Sequence, residues 1–212
     1  MSTGNHAFDQ KEALGFAPRS ERFLRPANFP RGTPGKGANL FEAKNGARIL
    51  VMNIMGRVFM HPELDDPFAC VEQQLDGWEL GKTIDAVFID FHAEVTSEKR
   101  IMLMMLQNEV SMICGTHTHV GTDDLQIFNN TAYLTDIGLT GCRDNVIGMD
   151  KKIPIQKVVT GLGGHFEVPS SCKTILQMMI TDINEDGKAT NSFKIKKLCN
   201  NHEYIITKAM ID

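Results

Sequence analysis

Residues 86–92, Ala86-Val-Phe-Ile-Asp-Phe-His92, and residues 110–119, Val110-Ser-Met-Ile-Cys-Gly-Thr-His-Thr-His119, decide the fold. Each is a short apolar run that closes on histidine. Continuous apolar runs of this length read as strands buried on both faces, the signature of a parallel sheet in an α/β protein. Ligands of such sheets gather at the carboxyl ends of the strands, where His92, His117 and His119 fall. In extended backbone, residues i and i+2 share a face, so His117 and His119 are expected to present two imidazoles to one side.

Working outward, Thr96-Ser97-Glu98 offers a hydroxyl cap and a first-turn acid for a helix through Leu106. Its Met102, Leu103, Met104, Met105 and Leu106 read as helical core rather than a soft-metal box. Upstream, Arg48–Ile54 is β-rich and ends at Met55-Gly56-Arg57, and Pro67–Leu80 has helical spacing in Phe68, Val71, Leu75 and Trp78. Residues 25–37 hold three prolines and three glycines, which predicts an ordered loop. A short helix is expected around Gln10–Leu14. Downstream, Thr131–Ile137, Gly164–Val168, Thr174–Ile183, Ser192–Leu198 and Glu203–Lys208 read as strands of an antiparallel, β-rich carboxyl half. There is no internal repeat and no low-complexity segment.

With 212 residues, 42% of them hydrophobic and 23% charged, the chain suits one domain with one sizeable core. A net charge of -4 without runs of like charge gives no reason to expect a nucleic-acid polymer or a membrane as partner. A small anionic substrate would have to be held locally, by metal. Five scattered cysteines, never in a C-x-x-C pair, signal neither a disulfide framework nor a zinc knuckle and predict reduced thiols. No leader pattern and no stretch of about 18 apolar residues occurs, so a soluble cytoplasmic chain is expected.

Two motif fragments are dismissed. Asp182–Gly187 copies half of a calcium loop, but its twelfth position is Phe193, and Asn184-Glu-Asp-Gly187 is hairpin turn chemistry. Gly35-Lys36 lacks the phosphate loop's first glycine, since position 30 is Pro30, and Gly37 stands where a hydroxyl should be. What remains is a set of amide and imidazole donors, Asn5, His6, His92, His117 and His119, of the kind that iron, manganese or zinc accepts. An H-x-H pair alone is ordinarily a hydrogen-bonded pair. Strand-end placement beside His92 turns the reading toward metal. His61, His165 and His202 have no partner spacing and read as solvated histidines.

Gly4-Asn5-His6 and Gly115-Thr-His-Thr-His119 resemble the last parts of the calcineurin-like metallophosphoesterase signature. Arg25–Gly37, Met55-Gly-Arg-Val-Phe-Met60, Asp90-Phe-His-Ala-Glu-Val-Thr-Ser-Glu-Lys99, Thr135-Asp-Ile-Gly-Leu-Thr-Gly141 and Val146-Ile-Gly148 resemble its YmdB-like branch, and the likeness covers essentially the whole chain. The resemblance implies a layered α/β/β/α sandwich, a dinuclear iron or manganese centre and hydrolysis of small phosphodiesters, 2′,3′-cyclic or 3′,5′-cyclic nucleotides. It implies that Asn5, His92 and His117 bind one metal, that His119 binds the other, and that His6 is the general acid. A His6 that only orients a ligand is the alternative.

Members of that family begin with a strand ending in Gly-Asp and later supply Gly-Glu-Asn, and both are absent before Gly4. About two N-terminal βα units, roughly 60 residues, are therefore expected to be missing from the sandwich. That predicts at most one weakly bound metal and an apolar edge that favours a homo-oligomer. Two further readings stand beside the enzyme: a weakly metal-binding regulatory or interaction protein, and a structural α/β domain with incidental histidines.

Overall fold

The computed structural model describes residues 1–199 and 203–211; His202 lies outside them. Turns of 3-10 helix at Gly4–His6 and Ala17–Arg19 flank α1 (Glu12–Phe16). β1 (Ala38–Glu42) and β2 (Arg48–Met55) form an antiparallel hairpin. α2 (Pro67–Leu75) leads to β3 (Ala86–His92), and α3 (Thr96–Leu106) leads to β4 (Met112–Thr116). β2, β3 and β4 run parallel, with Met55 opposite His92 and His92 opposite Thr116, so their carboxyl ends lie side by side. β5 (Gln126–Phe128), β6 (Thr131–Leu134) and the terminal β11 (Met210–Ile211) complete a seven-stranded sheet of order β1-β2-β3-β4-β6-β5-β11.

Strand alternation sorts the side chains. Leu50, Met52 and Ile54 of β2, Val87, Ile89 and Phe91 of β3, and Ile113 of β4 pack with Val71 of α2 and Met102, Leu103 and Leu106 of α3 in one buried core. The intervening residues Asn53, Asp90 and His92 thereby face the other side of the sheet. There a second, antiparallel sheet is stacked, built from β7 (Gly141–Cys142), β8 (Thr174–Ile183), β9 (Ala189–Leu198) and β10 (Tyr204–Lys208). Ile127, Ala132 and Ala189, with Met112 and Met179, fill the seam between the sheets. The chain is thus a mixed α/β fold of stacked sheets with helices, as expected.

Several local expectations change. The helix expected over 67–80 stops at Leu75, because Gly77 takes a left-handed φ of 79°. α3 keeps its predicted limits, but its N-cap is Val95 and no side chain caps it. Glu98 instead turns away and accepts the Arg57 amide at 2.9 Å. Of the predicted methionine core, Met102 is buried and Met104 lies on the exposed side. Gly164–Val168 forms no strand: the Glu167 carbonyl accepts from Asp150, outside any ladder. The segment before it folds into α4 (Lys152–Thr160), ended by Gly161 in the left-handed region.

The predicted turn at 184–187 is present, with Asn184 Oδ1 accepting the Asp186 and Lys188 amides. The expectation of reduced thiols throughout fails at Cys142 and Cys172, which are disulfide-bonded with Cα atoms 5.5 Å apart. Pairing of Gly141–Cys142 with Thr174–Ile175 brings the two together across 30 residues of sequence, a proximity that spacing could not reveal.

Candidate metal centre

β4 ends at Thr116, and the next residues do not continue as a strand: His117 has φ 107° and His119 φ 62°. The expectation that the pleat presents both imidazoles alike is therefore replaced by a turn in which each ring takes its own direction. His117 turns toward β3, its ring 4.8 Å from that of His92 at an interplanar angle of 78°. His119 Nδ1 donates instead to the Ile147 carbonyl at 2.7 Å. Both still line one cavity with His92, Asp90, Thr116 and Gly4.

His92, at the carboxyl end of β3, is the centre of the cluster. Its Nε2 stands 2.9 Å from Asn5 Oδ1 and 3.2 Å from His117 Nδ1. Its Nδ1 is 2.9 Å from Thr116 Oγ1, which donates to Asp90 Oδ1 at 2.7 Å. Burial pushes the Asp90 carboxyl up, and hydrogen bonds from Ser2 and Thr116 act against that. In the carboxylate form the proton order is set: Thr116 donates to Asp90, His92 Nδ1–H donates to Thr116, and His92 Nε2 is left bare. On the other ring, Glu94 Oε2 lies 3.0 Å from His117 Nε2 and takes its proton, so His117 Nδ1 is bare as well.

Burial, aided by the neighbouring His117, His6 and Lys99, drives the His92 pKa down to about 3, and burial lowers that of His117 against the pull of Glu94. Both rings are neutral near pH 7. With Asp90 ionised, the lone pairs of His92 Nε2 and His117 Nδ1 and the amide oxygen of Asn5 stand together with no proton between them. Donors bound to one ion at about 2.1 Å stand about 3.0–3.4 Å apart, so the Asn5–His92 and His92–His117 separations are close to those of neighbouring donors to one transition-metal cation. Among the described residues no three His, Cys, Asp or Glu side chains converge in this way, which leaves the amide of Asn5 as the third donor.

Asn5 is delivered by a turn that the sheet itself fastens. Asn53, fully buried on β2, accepts the Gly4 amide at 3.1 Å and donates to the Asp90 carbonyl at 3.2 Å. Gly4 has φ 61°, and a Cβ there would meet His92 Nε2 at 2.5 Å, so the ring packs directly on bare backbone. His6 follows on the exposed side, its Nδ1 2.7 Å from Asp9 Oδ2, which leaves Nε2 open to solvent. His61 and His165 are exposed, as expected.

Asn53, Thr116 and Glu94 escaped the sequence reading. Glu94 carried a usable signal, a carboxylate two residues beyond a candidate ligand histidine. Asn53 looked like any polar residue in a buried strand. No helix among the described residues is long and apolar enough to cross a membrane.

Comparison with known proteins shows the family. The family described as YmdB-like protein matches residues 1–195. A 2′,3′-cyclic-nucleotide 2′-phosphodiesterase of Bacillus subtilis is 40% identical over 206 residues, which is 97% of this chain and 75% of that protein. A putative phosphatase/phosphodiesterase of Mycoplasma genitalium is 36% identical over 179 residues, 81% of this chain and 62% of that protein. Among solved structures, a hypothetical protein from Thermus thermophilus superposes with a TM-score of 0.82 at 33% identity, over 98% of this chain and 75% of that one. A novel phosphatase from Mycoplasma pneumoniae gives 0.81 at 29% identity, over 98% and 71%.

Proposed function

Because the chain belongs to the YmdB-like protein family, we propose that it hydrolyses small phosphodiesters, 2′,3′-cyclic nucleotides foremost, around a metal ion held by Asn5, His92 and His117. It is an enzyme of the phosphoesterase class. The substrate follows the name of the Bacillus relative. The observation that carries the chemistry is the approach of Asn5 Oδ1 and His117 Nδ1 to His92 Nε2, at 2.9 and 3.2 Å. Nitrogen donors with one amide oxygen suit iron, manganese or zinc. A bound ion would supply Lewis-acid polarisation of the phosphoryl group and acidification of water.

The chain's own groups do the rest. Glu94 and the Thr116–Asp90 pair orient the two ligand rings and set their tautomers. His119 lines the same cavity and would hold a second metal only if a further carboxylate joined it. His6, its Nδ1 on Asp9 and its Nε2 open to solvent, is the general acid of the proposal, giving a proton to the departing ribose oxygen as water adds to phosphorus. Residues 1–212 act as one domain, in the cytoplasm.

The test is turnover of 2′,3′-cyclic AMP by the purified chain with added Mn2+, followed by chromatography. Release of a nucleoside monophosphate that needs Mn2+, is stopped by EDTA and is lost in His92→Ala is expected. Tight Mn2+ binding without turnover would overturn the catalytic reading and favour a metal-binding regulator.

A further inference from the structure

Lys99 and Asp136 are each 1% exposed, and Lys99 Nζ lies 2.9 Å from Asp136 Oδ2. Two full charges withdrawn from water are costly, and apolar side chains of similar volume in such places are often neutral or stabilising. Stability alone does not account for them. Asp136 stands just beyond β6, beside the carboxyl ends of β3 and β4, and its remaining acceptor capacity is directed at the site. Oδ2 also accepts the Thr118 amide at 3.1 Å, and Oδ1 accepts the Gly138 amide at 2.9 Å.

Thr118 is the residue between His117 and His119, the two with φ values of 107° and 62°. Left-handed backbone at residues other than glycine persists only where the surroundings over-determine it. The grip on Thr118 is that constraint. The same strand end is sutured a second time, by Asp136 N donating to Thr122 Oγ1 and Thr122 N donating to the Asp136 carbonyl, both at 3.0 Å. The route for the lysine is prepared too. At Gly115 a Cβ would meet the Thr135 carbonyl oxygen at 1.7 Å and Lys99 Cδ at 3.1 Å, so the Lys99 stem runs past a position that only glycine can occupy.

We infer that the buried Lys99–Asp136 pair is a positioning device for the metal site: it holds the Thr118 amide, and through it turns the His117 ring to face His92. The inference rests on the metal reading proposed above. It assigns Lys99 and Asp136 no contact with substrate.

Three forms of the full chain separate positioning from folding: wild type, Lys99→Met, and the double variant Lys99→Met/Asp136→Leu. Each is measured for thermal midpoint and for Co2+ affinity by visible absorption. Lys99→Met strands a buried carboxylate and lowers the midpoint. The double variant removes both charges and recovers most of that loss, yet its Co2+ affinity stays about 10–100-fold below wild type, the usual cost of losing a residue that orients a ligand. Wild-type affinity in the double variant overturns the inference and leaves the metal site standing. No Co2+ binding by the wild-type chain overturns both. A measurement on the wild type alone serves should the variants not fold: the Thr118 amide exchanges with deuterium as slowly as the amides of β4, and exchange at the rate of an open loop overturns the clamp.

Discussion

His117 presents its Nδ1 to His92 Nε2 at 3.2 Å, and with Glu94 on one ring and an ionised Asp90 behind the other, neither nitrogen carries a hydrogen. Two bare imidazole nitrogens at that distance repel unless a cation lies between them, and the Asn5 oxygen at 2.9 Å adds a third lone pair.

Metal content follows from this donor set. One ion per chain is expected in elemental analysis after equilibration with Mn2+. His92→Ala and His117→Ala each lower the affinity by more than about 100-fold, beyond the 10–100-fold range of orienting partners. His119→Ala leaves the ion bound, since its Nδ1 is engaged by Ile147. Two tightly held ions in the wild type would show that a further carboxylate is recruited.

The backbone of Gly4 is part of the site. Gly4→Ala places a methyl 2.5 Å from His92 Nε2 at φ 61°, which adds a clash of about 1–3 kcal/mol to the left-handed strain. Gly46→Ala is the control, because φ is 87° there and nothing lies within 4 Å. Both variants melt earlier in calorimetry, but only Gly4→Ala loses metal affinity. Equal affinities would separate Gly4 from the site.

In the proposed site His6 stands beside the ligands rather than among them. His6→Ala keeps its metal and loses about 10²–10⁴-fold in turnover of a cyclic nucleotide, the usual share of a general acid. With bis(p-nitrophenyl) phosphate, whose leaving group departs without a proton, the loss is much smaller. Equal losses on both substrates with metal intact would reject the acid role and leave positioning.

The cysteine pair is open to a direct count. Thiol titration of the denatured, unreduced chain should find three thiols, those of Cys70, Cys114 and Cys199. Reduction should destabilise the fold by about 3–4 kcal/mol, as closure of a loop this long predicts. Five thiols in the unreduced protein would contradict the pairing.

The central architecture was readable in the sequence because it is local. Apolar runs at 48–54 and 86–91 and helical periodicity over 96–106 each reflect one element's own packing, and the structure returns them as β2, β3 and α3. Strand-end placement of His92 and His117 followed from the same logic. What escaped is long-range. Asn53 meets Gly4 across 49 residues, Lys99 meets Asp136 across 37, and Cys142 meets Cys172 across 30. The turn at His117–His119 escaped for another reason: its left-handed backbone runs against the preference of the residues themselves, and its Thr118 amide is held by Asp136 from another strand end. At 164–168 the β-rich pattern was present but no partner strand was, and pattern without a partner makes no sheet.

The most direct measurement is anomalous diffraction from a crystal of the full chain equilibrated with Mn2+. One strong peak is expected about 2.0–2.2 Å from each of Asn5 Oδ1, His92 Nε2 and His117 Nδ1, with Glu94 still on His117 Nε2. A chain with full Mn2+ occupancy elsewhere, or with none at these three atoms, would contradict it.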